Sequence, residues 1–308
     1  MAPSVSPLNW TGNKSCIYDT IAGFMPEHTT YIEPCMGSAE VFFRKPPAKR
    51  EFINDYNGDL ANFFRVLKSS EHLPLLIGLL YLSWNSEELF KYNQKLLAET
   101  PNILDDVYDF QKATQQITNK DVRRAAAFFE NQTYSFSSMG SSFAIAQKDI
   151  TAKFPKLIAA SKRLRNAIIM HRDYKDVIRY AACPGGFILF DPPYRGTESM
   201  YPKSNFGASE HDILFEIVNW VNEEFRGQCK VLITYNNDPY IKALADRYGF
   251  DTYVQKRLHN MAQSTKPGAM FEELLIANYD LQAQASKNHF YYPNNCEQLS
   301  LFEYNPDY

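Results

Sequence analysis

The sequence of 308 residues contains little of what marks secreted, membrane or metal-binding proteins. Its five cysteines are scattered without a C-x-x-C pair, and its six histidines form no H-E-x-x-H motif. No apolar stretch is long enough to span a membrane, and the first residues lack the pattern of a secretory signal. We therefore expect free thiols, no metal site and a cytoplasmic location.

A general excess of positive charge is also absent, since the net charge is −3 and the isoelectric point is about 6.1. This balance argues against a protein that coats nucleic acid through its whole surface. One stretch departs from it, because residues 148–179 contain nine Lys and Arg but only three Asp. That stretch is either a track for backbone phosphates or a solvated helix face.

The hydrophobic pattern predicts an α/β protein. Short apolar strands are expected at residues 31–33, 51–55, 167–170, 187–190, 230–235, 250–254 and 273–277. Helical spacing fills the segments between most of them and dominates residues 70–165. We therefore predict a doubly wound sheet that carries a helical insertion.

The most informative motif is Asp191-Pro192-Pro193-Tyr194, which ends the apolar run Phe187–Phe190. Its position predicts a loop at the carboxyl end of a buried strand, where ligands of open α/β sheets bind. Two prolines stiffen this loop and remove two backbone donors, which leaves acceptors beside a carboxylate and an aromatic ring. Such a loop suits a planar amino group.

A second motif follows the first predicted strand. Glu33, Gly37 and Ser38 belong to a turn of small residues, and Asp55 ends the next strand about twenty residues later, where a carboxylate can bind a ribose. The dinucleotide fingerprint G-x-G-x-x-G is missing, so a pyrophosphate fits poorly. An adenosine without phosphates, as in S-adenosylmethionine, fits better.

Four motifs in this order resemble those of the Dam-like DNA adenine N6-methyltransferases. They are residues 8–14 (LNWTGNK), residues 31–42 (YIEPCMGSAEVF), residues 54–60 (NDYNGDL) and the tetrad at 191–194. The resemblance implies a Rossmann-like methyltransferase sheet, S-adenosylmethionine as the cofactor and double-stranded DNA as the substrate. It departs from the family pattern at Asn13 and Ala39, where the family usually has glycine.

By this resemblance, the cofactor site comprises Trp10, Lys14, Glu33, Gly37, Ser38, Asp55, Asp173, Tyr174 and Asp191. Lys14 is expected beside the cofactor's methionine carboxylate and Asp55 at its ribose. Asp173 and Tyr174 are expected beside its adenine, although Asp173 is equally suited to capping the next helix. Asp191, Pro192, Pro193 and Tyr194 are expected to hold and stack the target base.

Residues 131–143 form a polar loop with interleaved aromatics that is suited to contacting bases. The expected DNA contacts are Arg123, Arg124, Asn131, Tyr134, Phe136, Ser137 and Lys148. The loop differs from that of the GATC enzymes in the family, so its target sequence is left open. A flexible surface loop is the alternative interpretation.

We predict three parts: a cofactor-binding catalytic domain at residues 1–70 and 166–280, a helical target-recognition domain at 71–165, and a tail at 281–308 that is an extended arm. The predicted activity is site-specific methylation of a flipped-out adenine at N6. The alternatives are an N4-cytosine DNA methyltransferase and a catalytically silent DNA-binding relative. A restriction endonuclease encoded nearby is a further partner that the sequence neither requires nor excludes, and the oligomeric state is left open.

Overall fold

The computed structural model describes residues 5–99, 117–136, 140–145, 148–201, 203–204, 206–258 and 270–289. Its strands are β1 (Thr30–Glu33), β2 (Arg50–Asn54), β3 (Ile168–Met170), β4 (Gly186–Phe190), β5 (Lys230–Asn236), β6 (Asp251–Leu258) and β7 (Met270–Ala277). Its helices are α1 (Tyr18–Phe24), α2 (Glu40–Arg44), α3 (Gly58–Lys68), α4 (Leu73–Tyr81), α5 (Glu87–Glu99), α6 (Asn119–Tyr134), α7 (Phe154–Leu164), α8 (Tyr174–Ala181), α9 (Glu210–Glu224), α10 (Pro239–Tyr248) and α11 (Leu281–Lys287).

The strands form one mixed sheet in the order β3-β2-β1-β4-β5-β7-β6. Strands β3, β2, β1, β4 and β5 are parallel, whereas β7 runs antiparallel to both β5 and β6. The chain order reverses between β1 and β4, and this is the switch point at which doubly wound sheets bind their ligands. The predicted α/β class is confirmed.

Strand β4 shows why the sheet is covered on both faces. Its side chains alternate between two hydrophobic clusters: Phe187 and Leu189 join one, while Ile188 and Phe190 join the other. Successive side chains of a strand point to opposite faces, so a continuous apolar strand requires helices on both. Helices α1, α3, α6 and α7 contribute to the first cluster, and α8, α9 and α10 to the second.

Local signals in the sequence define the ends of several helices. The Asn57 side chain accepts hydrogen bonds from two backbone amides at the start of α3, and Thr118 forms a capping box with Asp121 before α6. Gly249 ends α10 in a left-handed conformation, with φ of 66°. These caps place the ends of the predicted helices within a few residues of their observed positions.

In the helical block at residues 71–165, the described helices α4, α6 and α7 pack on α3, the helix that follows β2. Helix α6 lies along α3, where the Phe63 and Phe129 rings stack with centroids 5.3 Å apart. Helices α4, α6 and α7 share one hydrophobic cluster with the sheet. The role of this block in target recognition stays a prediction.

The beginning of the predicted tail is a helix and not an extended arm. Helix α11 packs on α1, and the Asn288 amide donates to the Gly23 and Met25 carbonyls, at 2.8 Å each. Leu281 and Ala285 are buried at this contact. Apolar spacing of four residues within 281–287 is the signal for this helix in the sequence.

Candidate active site

Asp191 lies at the carboxyl end of β4, where the two prolines after it are buried. Its carboxylate is held by two side chains: Thr234 of β5 donates to Oδ1 at 2.6 Å, and the Lys14 ammonium contacts Oδ2 at 2.7 Å. The Asp191 side chain remains 23% exposed. Each carboxylate oxygen has two lone-pair sites, so both can accept a further donor from a ligand.

Lys14 belongs to a short 3-10 turn, Lys14–Cys16, and is buried. Its ammonium also donates to the Gly12 carbonyl at 2.7 Å and lies 5.1 Å from the centroid of the Tyr194 ring. Its closest observed anion is thus Asp191. Burial acts to lower the pKa of Lys14, but the carboxylates of Asp191 and Glu273 outweigh it and raise that pKa.

The pKa of Asp191 shows the balance of the same contacts. Removal from bulk water raises this pKa, while Lys14 and the Thr234 hydroxyl act to lower it. The net direction of the Asp191 pKa is upward because burial is the largest effect, and Lys14 and Thr234 oppose it by favouring the ionised carboxylate. An ionised carboxylate is an acceptor on both oxygens.

Tyr194 follows the two prolines and is fixed at both ends. Its hydroxyl donates to Glu273 Oε2 of β7 at 2.7 Å, and its ring lies 5.7 Å from the Tyr235 ring. The ring is half-buried and lines a cleft. It thus presents an aromatic surface next to the Asp191 carboxylate.

The turn after β1 is connected to the end of β2 by a hydrogen bond from a backbone amide to the Asp55 side chain. The amide of Gly37 donates to Asp55 Oδ2 at 3.0 Å, and the amide of Asn57 donates to Asp55 Oδ1 at 2.9 Å. Gly37 has φ of 47°, and a Cβ at this position would lie 3.0 Å from Trp10 Nε1. Both the backbone conformation and the close approach of Trp10 therefore favour glycine at this position.

The two departures from the family pattern are accommodated locally. The Asn13 amide donates to Ser38 Oγ at 3.0 Å and to Glu40 Oε2 at 3.2 Å, which ties the lysine turn to the turn after β1. Ala39 is buried and adopts the left-handed conformation, with φ of 55°. A glycine would adopt that conformation without strain.

Asp55 has acceptor capacity left for a ligand. Its two backbone hydrogen bonds use two of about four lone-pair sites on the carboxylate. Burial raises the pKa of Asp55, and the amides of Asn57 and Gly37 act against that increase. The group is a partly buried carboxylate that faces a cleft.

Asp173 and Tyr174 lie where α8 begins. The Asp173 side chain caps this helix by accepting from the Lys175 amide at 2.9 Å, and it also lines the cleft. The Tyr174 hydroxyl donates to Glu210 at 2.6 Å, and burial raises its pKa. The two interpretations of Asp173 from the sequence are therefore compatible.

These side chains surround one cleft of about 930 Å³ at the carboxyl ends of the parallel strands. Every predicted cofactor and catalytic residue lines it: Trp10, Lys14, Glu33, Gly37, Ser38, Asp55, Asp173, Tyr174, Asp191, Pro192, Pro193 and Tyr194. The strand order brings these residues together from motifs that are far apart in the chain. Their roles stay predictions.

Several residues of the cleft were not predicted from the sequence, among them Thr234, Glu273 and Tyr201. A signal existed for Glu273, because a carboxylate directly before the apolar run Leu274–Ala277 is unusual in a buried strand. Thr234 is similarly a polar residue within the apolar strand β5. Tyr201 has no comparable signal.

The predicted DNA contacts fall into different environments. Arg124 is buried in an ion pair with Asp59, and Tyr134 is 1% exposed, so neither side chain is presented to a nucleic acid. These two predictions are not supported by the geometry, because α6 turns both residues toward the protein interior. Asn131 is buried in the wall of the cleft.

The other predicted contacts lie nearer the surface. Phe136 is 67% exposed, and Arg123 is partly exposed against Asn93 and the Tyr92 ring. Lys148 donates to the backbone carbonyls of Thr133 and Ser135, which holds the start of the loop. Ser137 lies outside the residues that the structure describes.

Glu33 is the last residue of β1 and is buried at the base of the cleft. It accepts a hydrogen bond from the Tyr31 hydroxyl at 2.8 Å. Burial raises the pKa of Glu33 to about 8, although the Tyr31 hydroxyl and Lys45 act to lower it. The carboxyl group is therefore largely protonated in the folded protein at neutral pH.

The substitution Glu33→Gln is expected to flatten the dependence of stability on pH. The folded pKa lies above the unfolded value, so the stabilisation from Glu33 is complete below about 4.5 and is lost as pH rises through about 8. Glutamine cannot ionise. The unfolding free energy of the variant relative to that of the wild type should therefore increase by up to about 1.4 kcal/mol for each pH unit between about 4.5 and 8. Urea denaturation of both proteins at a series of pH values measures this difference. A difference that does not change with pH would contradict the prediction.

Within the described part of the chain, no helix is long and apolar enough to cross a membrane. The same residues contain no cluster of three or more His, Cys, Asp or Glu side chains placed to bind a metal ion.

A mixed sheet with helices on both faces, with Asp55 after β2 and an Asp-Pro-Pro-Tyr loop after β4, is consistent with the class of Rossmann-like methyltransferases. Residues 10–261 match the family model described as D12 class N6 adenine-specific DNA methyltransferase. The chain therefore belongs to this family, and the predicted resemblance is confirmed. Membership of the family implies a methyl donor and a DNA substrate.

Two curated proteins illustrate the similarity. A DNA N-6-adenine-methyltransferase of Escherichia phage P1 is 28% identical over 258 residues, which cover 80% of this chain and 31% of the phage protein. The type II methyltransferase M1.LlaDCHI of Lactococcus lactis subsp. cremoris is 25% identical over 284 residues, which cover 88% of this chain and 94% of that protein. The chain thus spans about a third of the length of the phage relative and nearly all of the second.

Proposed function

We propose that this protein transfers a methyl group from S-adenosylmethionine to N6 of an adenine that is flipped out of double-stranded DNA. The observation that carries the proposal is the common cleft of Asp191 and Asp55. Asp191 is suited to an exocyclic amine, and Asp55 is suited to a ribose. The amines of adenine and cytosine need the same two acceptors, so the geometry suits both. Family membership favours adenine N6 over the alternative of cytosine N4.

The side chains that line the cleft are suited to S-adenosylmethionine. The Asp55 carboxylate has acceptor sites for ribose hydroxyls, and no pyrophosphate has to fit against the turn of Gly37 and Ser38. Trp10 and Asp173 would border the cofactor from the facing walls. When bound, the cofactor supplies an electrophilic methyl group on a sulfonium.

The Lys14 role that we propose adds to the sequence prediction. Its ammonium contacts Asp191 and the Gly12 carbonyl, and its third N–H can reach a cofactor carboxylate. The positive charge favours the ionised form of Asp191, which is the form that accepts hydrogen bonds from an amine. Lys14 would thus support the amine-binding carboxylate.

Asp191 and the Pro192 carbonyl would accept the two N–H groups of the target amine. The lone pair of an exocyclic amine is delocalised into the ring, so two acceptors that favour a tetrahedral nitrogen make it available for attack. Hydrogen bonds to an ionised carboxylate strengthen as positive charge develops on that nitrogen, which stabilises the transition state selectively. Holding the amine in line with the methyl group lowers the barrier further.

Tyr194 would provide the stacking surface for the target base. The amine cannot be reached inside a duplex, so the base has to leave the helix stack. The Tyr194 ring lies beside Asp191 in the cleft, where it can stack on the base while the carboxylate binds its amine. The helical block at residues 71–165 would contact the surrounding DNA, with Arg123 and Phe136 as its exposed candidates.

A methylation assay with nucleoside analysis tests the proposal. The protein is incubated with tritiated S-adenosylmethionine and unmethylated double-stranded DNA, which is then digested to nucleosides. Label in N6-methyldeoxyadenosine is the expected result. Label in N4-methyldeoxycytidine would identify the cytosine alternative, and unlabelled DNA that is nevertheless bound would identify a silent DNA-binding relative.

A further inference from the structure

Glu273 is a buried carboxylate on β7, 2% exposed, and it is not part of any of the motifs of the family resemblance. Its two oxygens have different partners. Oε2 accepts from the Tyr194 hydroxyl at 2.7 Å, and Oε1 accepts from Arg257 Nε and Nη2 of β6, at 3.1 and 2.8 Å. The residue therefore links the antiparallel pair β6 and β7 to the loop that follows β4.

The Arg257 guanidinium makes this arrangement stable. A carboxylate this deeply buried requires a charged partner and satisfied hydrogen bonds. Arg257 provides both through two nitrogens on one oxygen, and its guanidinium carbon also lies 4.6 Å from the centroid of the Phe271 ring. The second oxygen of Glu273 is left for the tyrosine.

Two carboxylates, those of Asp191 and Glu273, lie near the Tyr194 hydroxyl. Both Asp191 and Glu273 act electrostatically on Tyr194, but the hydrogen bond goes to Glu273. The acceptors of Asp191 consequently remain with Lys14 and Thr234 and with any ligand amine. Because the Tyr194 hydroxyl donates to Glu273, it does not occupy an acceptor site of Asp191.

We propose that Glu273, held by Arg257, is a positioning residue that fixes the Tyr194 ring for stacking on the target base. This inference rests on the proposed function. One strong hydrogen bond at the hydroxyl fixes the position of Oη and with it the direction of the side chain, while the Tyr235 ring packs beside the Tyr194 ring. Losing that bond would allow the ring to rotate and the hydroxyl to turn to Asp191.

Kinetics of Glu273→Ala, Tyr194→Phe and the double variant test the coupling. Each single variant is expected to lower kcat/KM for DNA by about 10- to 100-fold, the value of one hydrogen bond to a charged group. The double variant should be no worse than the more impaired single variant, because both changes remove the same interaction. Additive losses would overturn the proposal.

Three comparisons separate positioning from a general structural role. Glu273→Gln keeps an acceptor for the tyrosine and should recover part of the activity. Glu272→Gln on the same strand, where Glu272 contacts Asn237 and Lys256 at the surface, should leave the activity unchanged. Calorimetric affinity for S-adenosylmethionine should be the same in all of these variants, so that the loss appears at the DNA step.

A fluorine resonance reports on Tyr194 independently of activity. Protein labelled with 3-fluorotyrosine has a Tyr194 signal that is assigned by its loss in Tyr194→Phe. Glu273→Ala should shift or sharpen this signal as the ring becomes mobile, and Glu272→Gln should not. An unchanged signal in Glu273→Ala would overturn the inference. Wild-type protein that methylates no DNA would contradict only the proposed function, since the resonance still decides whether Glu273 holds the ring.

Discussion

Replacing Asp191 by alanine should lower the rate of methyl transfer by about 100- to 1,000-fold while the fold is retained. The substitution removes a carboxylate acceptor from the proposed amine site, and losses of this size follow from removing one such transition-state contact. Asp191 lies after β4 and is half-buried, so the strand and its clusters remain packed. Single-turnover transfer of label from S-adenosylmethionine to DNA measures the effect.

Two controls make the Asp191 result specific. Asp191→Asn keeps oxygen and shape but loses the charge, and it should be nearly as inactive if ionisation matters. Asp176→Asn changes an exposed carboxylate on α8 and should leave transfer unchanged. Transfer at the wild-type rate by Asp191→Ala would remove the mechanism.

The removal of Asp191 also leaves Lys14 buried without its closest anion. An unpaired buried charge destabilises a protein, so some loss of unfolding free energy is expected in Asp191→Ala. Circular dichroism and urea denaturation check that the variant is folded under the assay conditions. Asp191→Asn still provides an oxygen for Lys14 and should be the more stable of the two.

The substitution Asp55→Asn is expected to weaken binding of S-adenosylmethionine by about 10- to 100-fold, since hydrogen bonds between ribose hydroxyls and a charged acceptor are lost or weakened. Asparagine keeps one oxygen, which can accept from only one of the backbone amides of Gly37 and Asn57, so urea denaturation of both proteins checks that the turn is retained. Isothermal titration calorimetry with the cofactor measures the affinity.

A ligand without ribose hydroxyls provides the matched comparison for Asp55. A 2′,3′-dideoxy analogue of S-adenosylhomocysteine should bind the wild type more weakly than S-adenosylhomocysteine does. The Asp55→Asn variant should discriminate much less between the two ligands, because the interaction that distinguishes them is gone. Equal discrimination by both proteins would show that Asp55 does not hold the ribose.

Much of the fold could be predicted from the sequence because the signals are local. Strand β4 is a continuous apolar run between Gly186 and Asp191, and it was predicted to within one residue. Helix α6 has a capping box at its start, which marks its first turn. Strands β6 and β7 were predicted too short, because Gln255 and Lys256 interrupt the apolar pattern of β6 and Glu272 interrupts that of β7.

The contacts between side chains at the site could be predicted only in part. The tetrad and Asp55 were expected to meet because parallel strands end at the same edge of a sheet. The ion pair of Lys14 with Asp191 was not expected, since the resemblance suggested a cofactor carboxylate as the partner of Lys14. Arg124 was expected at DNA but is paired with Asp59, which shows that a basic residue on an amphipathic helix does not reveal which face it occupies.

The order of local patterns along this chain already determined an α/β protein, its ligand edge and the residue types at that edge, because each depends on neighbours within a few positions. Only the tertiary structure decided that Thr234 and Glu273 would hold Asp191 and Tyr194. These contacts depend on β5 lying beside β4 and on β7 lying beside β5 in the sheet order. Strand order arises from packing between distant segments, and no local pattern encodes it.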